Sequence, residues 1–135
     1  MARVLVSGSL AHDRIMNFHG IFADHIIPEK IHSVNLSFFV PELVETFGGC
    51  SGNIAYNLAL LGNKPVILSR GGKDFAPYEK WLREKGVDMS FVEHDNESIT
   101  SVAHIITDMK DNQIAAFHPG AGLIPFDTSN VPPSA

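Results

Sequence analysis

Cys50 is the only cysteine, so no disulfide can form within the chain. Basic residues are few. Ten Lys and Arg stand against 15 Asp and Glu, the net charge is −5, and no basic cluster occurs. That excludes nucleic acid as the main partner, because such binding needs clustered cations to displace counterions. No apolar run approaches the ~20 residues of a membrane-spanning helix, so no membrane partner is expected. The opening "MARVLVSGSL" is too short and too soon polar to be a secretory signal. These absences lead to the expectation of a cytoplasmic protein.

What is present is ordinary for a globular domain. The 135 residues are 44% hydrophobic and 19% charged, enough for one domain with a real core. Ala2 to Val6 reads as a first buried strand ending at "SGSLAHD". Ile15 to Ala23 is a second strand-like stretch. Ile31 to Val40 and Leu43 to Phe47 look extended, interrupted by Pro28 and Pro41 as edge strands or connections are. A helix follows Gly48 and Gly49. It places Ile54, Leu58 and Leu61 on one face beside Ala55 and Ala59, with Ser51 as its cap and Gly62 as its close. "KPVILSRGG" is a short buried strand. Asp74 caps a second helix from Phe75 to Lys85, stopped by Gly86, with Pro77 tolerated in its first turn. "VDMSFVE" is a further strand, and Ile99 to His118 forms a hairpin around "DMKDN". The remainder, 123–135, is rich in turn formers and irregular.

Strand, insertion, helix, strand, helix, strand, hairpin is an α/β pattern: a parallel sheet with an accessory β element. Ligands of such sheets bind outside the C-terminal strand ends. The turns "SGSLAHD", "GGCSGN" and "RGGKD" therefore share one rim. None is a known phosphate loop. The string Gly-x-x-x-x-Gly-Lys-Ser/Thr is missing, and Gly48, Gly49 and Gly52 miss the dinucleotide spacing by one residue. His12, His19, His25 and His32 lack the spacing of metal ligands, so no metal site is expected.

The order "GSLAHD", an extended insertion, "FGGCSGNIAYNLALLG" and "RGGKD" resembles the PfkB or ribokinase-like family of sugar and nucleoside kinases. The phrasing is closest to its adenosine-kinase-like branch, and the likeness runs from about Val4 to Gly122. It implies the N-terminal half of a ribokinase-like parallel-sheet sandwich with a small β lid. Lid strands fall at about 15–47 and 99–118, within a substrate-binding half over 1–122. It implies substrate-binding roles for Asp13, whose carboxylate would accept from two ribose hydroxyls, for Gly48 and Gly49 at the lid junction, and for Asn53 at the helix start. His12, Phe39 and Phe117 are candidates for the pocket. Plainer readings stand beside these. Asp13 could brace a turn, Asn53 could simply start a helix, and Phe38, Phe39 and Phe117 could be packing. Cys50 is either a reactive thiol at a helix start or a small buried residue.

The family's later motifs are missing: the Gly-Ala-Gly-Asp loop that supplies the catalytic base and anion hole, the Asn-x-x-Glu motif linked to magnesium, and the ATP pocket. "FDTSN" begins with Asp127-Thr128 as that loop often does and then departs. No catalytic residue is therefore assigned in this chain. ATP and Mg2+ are expected for a full-length enzyme and none bound to this chain, which alone should be inactive. The substrate class is a sugar or nucleoside, a ribonucleoside foremost. The alternatives are a non-catalytic sugar or nucleoside binder and a truncated gene product. An open parallel sheet leaves a strand edge exposed, so a homo-oligomer through the lid or that edge is expected.

Overall fold

The computed structural model describes residues 3–125, 127–129 and 131. Seven strands and two α-helices follow in the order β1 (Arg3–Ser7), β2 (Ala11–Asn17), β3 (Glu42–Gly48), α1 (Cys50–Leu60), β4 (Lys64–Gly71), α2 (Ala76–Glu84), β5 (Asp88–His94), β6 (Ser101–Thr107) and β7 (Gln113–His118). They form two sheets. The first is parallel, in the order β1-β4-β5. Its central strand reads as a continuous apolar run, and Val66, Ile67 and Leu68 are all buried, as in a sheet covered on both faces. The two helices help cover one face, around Leu10, Ala55, Ile67, Phe75, Tyr78, Leu82 and Met89. A 3₁₀ turn at Gly120–Leu123, with Ala121 buried, contacts β4 and β6.

The second sheet is mixed, in the order β3-β2-β6-β7. Here β2 pairs antiparallel with β3 and parallel with β6, and β6 pairs antiparallel with β7. The expected strand at Ile15 to Ala23 begins earlier, at Ala11, and ends at Asn17. The polar "AHD" is drawn into strand form by ladders on both sides. Beyond it, Phe22–His25 and Pro28–Ser33 are 3₁₀ turns. Of the stretches expected to be extended, only Glu42–Gly48 makes a ladder. The insertion is instead held by an aromatic cluster. Phe18, Phe22 and Phe38 lie with ring centroids 4.8–5.9 Å apart, and His25 meets Phe18 edge-on.

Helix α1 buries a face rotated from that expected, keeping the Ala55 side but not Ile54 or Leu61. Ser51, Gly52 and Ala55 are buried, while Ile54 is 50% and Leu61 78% exposed. Its large apolar residues Ile54, Leu58, Leu60 and Leu61 spread around much of the helix and mark no single face, and the small side chains give the closer approach. Its cap is Gly49, not Ser51. Asp74 does not cap α2 either; Phe75 holds that position, and the Asp74 carboxylate instead accepts from the Thr100 amide at 2.6 Å. Cys50 is exposed, against the reading of a small buried residue.

Asp108 pins the insertion to the β6–β7 hairpin. Its buried carboxylate accepts from the amides of Phe22, Lys110 and Asn112 and from the Asn112 side chain, at 2.9–3.2 Å. Burial pushes this carboxyl up, but those hydrogen bonds outweigh it and hold it at about 2, against an ordinary 3.8. The folded value lies below the unfolded one. Its stabilisation is therefore complete above about pH 4 and is lost as pH falls towards 2. Asp108→Asn lowers the melting temperature at pH 7, and its gap from wild type narrows between pH 4 and pH 2. A gap that is constant with pH in thermal melts would refute this role.

Candidate functional site

The chain passes from the first sheet to the second at Gly8–Leu10 and returns at Gly48–Gly49. The two crossings are stitched together. Ser51 donates its hydroxyl to the carbonyls of Gly8 and Ser9, at 3.1 and 2.8 Å, and its amide to Ser9 at 3.0 Å. The Cys50 amide reaches Ser9 Oγ at 3.2 Å, and Ser69 donates to Gly8 at 2.6 Å. The third turn joins through Asp74, whose carboxylate lies 4.0 Å from His12 Nε2. The three turns expected on one rim are thus close to one another.

Glycine is required where the crossings meet. Gly49 has φ +89°, and a Cβ there would lie 2.5 Å from the Ser9 carbonyl oxygen and 2.8 Å from the Ala11 amide nitrogen. A Cβ on Gly48 would overlap Asp13 Oδ2.

Asp13 lies in the middle of β2, level with Thr46 and Ala103, not in a turn. Burial raises its pKa from 3.8, against the lowering pull of His12. Among the described residues no donor hydrogen-bonds its carboxylate. Its acceptor capacity is therefore open to a ligand hydroxyl. Phe117 stands level with Ala103 across β6 and β7, so it shares the sheet face of Asp13. It is 58% exposed and lines a cavity of about 140 Å³ with Gly8, Ser9, Arg70 and Ser101. Asn53 is exposed in the first turns of α1, where its amide makes the bond to Gly49 at 3.0 Å.

Two pocket candidates lie elsewhere. His12 neighbours Asp13 in sequence and so points to the other face of β2. Its ring lies beside the stacked Phe47 and Tyr78, 5.8 and 6.1 Å from them, with Nε2 4.0 Å from Asp74. A second cavity, of about 320 Å³, opens there, lined by His12, Arg14, Glu45, Phe47, Asp74 and Pro77. Phe39 is 84% exposed and lies outside both sheets.

Tyr78 was not singled out by sequence reasoning. It is 1% exposed, and its hydroxyl donates to the Gly48 carbonyl at 2.8 Å. The available signal is its place with Phe75 and Leu82 on the apolar face of α2, where a buried hydroxyl needs a partner.

A profile of the pfkB family of carbohydrate kinases matches residues 12–127. The chain belongs to that family. A nucleoside kinase of Methanocaldococcus jannaschii is 31% identical over 123 residues, 90% of this chain and 37% of that protein. The solved structure of that kinase, described as an archaeal member of the ribokinase family, superposes with a TM-score of 0.75 at 30% identity, over 90% of this chain and 38% of that one. The Burkholderia thailandensis nucleoside kinase, solved in complex with inosine, is 42% identical with a TM-score of 0.75, over 89% of this chain and 37% of that one. The fold is thus the ribokinase-like α/β fold expected. The chain spans little more than a third of the length of these kinases.

Gly49 and Gly62 both have positive φ, but a Cβ on Gly62 would meet only open space. Gly62→Ala therefore carries the dihedral cost alone, about 1–2 kcal/mol. Gly49→Ala adds overpacking of about 1–3 kcal/mol. Urea denaturation of both variants checks the order, and equal losses would contradict the contact between the crossings.

Proposed function

We propose that this chain is the substrate-binding and lid portion of an ATP-dependent nucleoside kinase, which transfers a phosphoryl group to the primary hydroxyl of a ribonucleoside. The second sheet, strands β2, β3, β6 and β7, is the lid. Asp13 accepts from the ribose hydroxyls, Gly48 and Gly49 form the floor where lid meets core, Asn53 contacts the sugar edge, and Phe117 borders the pocket. The observation that carries this reading is the Asp13 carboxylate, seated on Gly48 without a donor among the described residues, in a chain 42% identical to a kinase solved with inosine. A ribonucleoside is favoured over a free sugar because the more similar relatives are nucleoside kinases.

The residues present supply neither the catalytic base nor the anion hole of the family. Among the described residues no three His, Cys, Asp or Glu side chains converge as metal ligands. The sequence has no Gly-Ala-Gly-Asp loop to supply a base and an anion hole. The Burkholderia kinase has also been solved in complex with ADP-inosine. In this reading ATP and Mg2+ belong to a full-length kinase and are bound outside this chain, which by itself binds without turnover. No helix here is long and apolar enough to cross a membrane. A cytoplasmic location accompanies the use of ATP.

Inosine raises the melting temperature of the wild-type chain, since a ligand of the native state must stabilise it. Asp13→Ala removes hydrogen bonds to a charged acceptor, each worth about 1.5–3 kcal/mol, and weakens inosine roughly ten- to a hundredfold by calorimetry. Unchanged affinity in Asp13→Ala would overturn the site. Inosine binding with a genuine stop codon after Ala135 would favour a non-catalytic binder instead.

Self-association is part of the proposal. β1 pairs only with β4 among the described residues, and Leu43, Val44, Ile114 and Phe117 are exposed on the lid. Light scattering across a concentration series gives a mass above 14.7 kDa. A monodisperse monomer throughout would exclude it.

A further inference from the structure

We infer that Tyr78 is a positioning residue for nucleoside binding: from helix α2 it holds the Gly48 carbonyl, and through Gly48 it sets the place of the Asp13 carboxylate. The inference rests on the sugar-binding role proposed for Asp13.

Four observations meet at this side chain. Its hydroxyl donates to the Gly48 carbonyl at 2.8 Å. Its ring stacks on Phe47, the preceding residue of β3, at 4.4 Å and 3°. Gly52 leaves room for the hydroxyl, because a Cβ there would overlap Tyr78 Oη. Finally, the Asp13 carboxylate packs on Gly48 itself, where a Cβ would displace it.

Burial first, and the charge of Asp13 second, raise the Tyr78 pKa above its ordinary 10. The hydroxyl is therefore protonated throughout the physiological range and is a permanent donor. The arrangement joins a buried element to an exposed one. Tyr78 is fixed in the core by Phe75, Leu82 and Met89, whereas every residue of β3 before Gly48 is exposed. One hydrogen bond thus clamps the last residue of β3 to the body of the protein. The clamp lies immediately before Gly49, whose positive φ makes it the point where the chain turns into α1. With Gly48 held, Asp13 meets a ribose from a fixed floor. Without the clamp, the floor shifts with β3 and each encounter must order it again.

Tyr78→Phe keeps the ring and its stack and removes only the hydroxyl. Amide hydrogen exchange and inosine calorimetry are measured on the whole chain. Exchange at Gly48, Gly49 and Cys50 rises about tenfold or more, while the buried strand β4 exchanges as in wild type. Inosine binds about tenfold more weakly. In an Asp13→Ala background the same substitution has little further effect on affinity, because both act on one contact. Unchanged exchange at Gly48–Cys50 would overturn the clamp. An equal rise in β4 would reduce Tyr78 to a general core residue, and so would a local rise without loss of affinity. Additive losses in the double variant would detach Tyr78 from Asp13. If the wild-type chain binds no inosine, the proposed function falls, and the exchange result alone decides the clamp.

Discussion

The close contact of two backbone crossings organises this molecule. The chain leaves the core sheet at Gly8–Leu10 and returns at Gly48–Gly49, and at Gly49 it runs against Ser9, Leu10 and Ala11 with no room for a side chain. Ser9 and Ser51 then bind one crossing to the other through hydroxyls, and Ser69 binds the outgoing crossing to β4, each such bond adding about 0.5–1.5 kcal/mol. Individually these are small. Together they pair the carbonyls of Gly8 and Ser9 and the amides of Cys50 and Ser51, any of which left buried and unpaired would cost more than the bond contributes. The adjacent glycines thus have different causes. Gly49 admits the backbone of the outgoing crossing, and Gly48 admits the Asp13 carboxylate.

Stability is unevenly shared between the two sheets. The core sheet buries Val66, Ile67, Leu68 and Met89 under both helices and the 3₁₀ turn. The second sheet has β3 and β7 almost wholly exposed, and it relies on β2, β6, the aromatic cluster and Asp108. An element with few buried apolar contacts opens at lower free energy than the core. That difference suits a part that must admit a ligand and close over it. The proposed lid and the proposed floor differ in this respect by construction, and Tyr78 lies on the boundary between them.

The α/β pattern, the three glycine turns and the hairpin were legible because each has a local cause. Buried parallel strands read as apolar runs, and Gly62 and Gly86 end helices with positive φ. What was not legible depends on partners distant in sequence. "AHD" is a strand only because β3 and β6 flank it, and once it is a strand, His12 and Asp13 must part to opposite faces. Asp74 has the local appearance of a helix cap, but Thr100, 26 residues on, takes its carboxylate. The buried face of α1 was misjudged because small residues, not large apolar ones, give the closest approach. Tyr78 is the clearest case: nothing near it in sequence points to Gly48, 30 residues away. The stretch at 126–135 lies largely outside the described residues, so only part of "FDTSN" has a described structure.

The same contacts explain why a glycine-rich turn at a helix start is unsuited to phosphate. An anion site there needs free amides pointing at the ligand. In α1 the amides of Cys50 and Ser51, two of the donors such a site would need, are already given to Ser9. Asp13, the ionisable side chain seated against Gly48, is an acid, and its charge repels a phosphate while its oxygens attract hydroxyls. Donors turned inward and an acceptor turned outward make a floor suited to a neutral polyol. In the proposed reading the chain meets its substrate at the ribose, and the charge of the transferring phosphoryl group is stabilised by residues outside it.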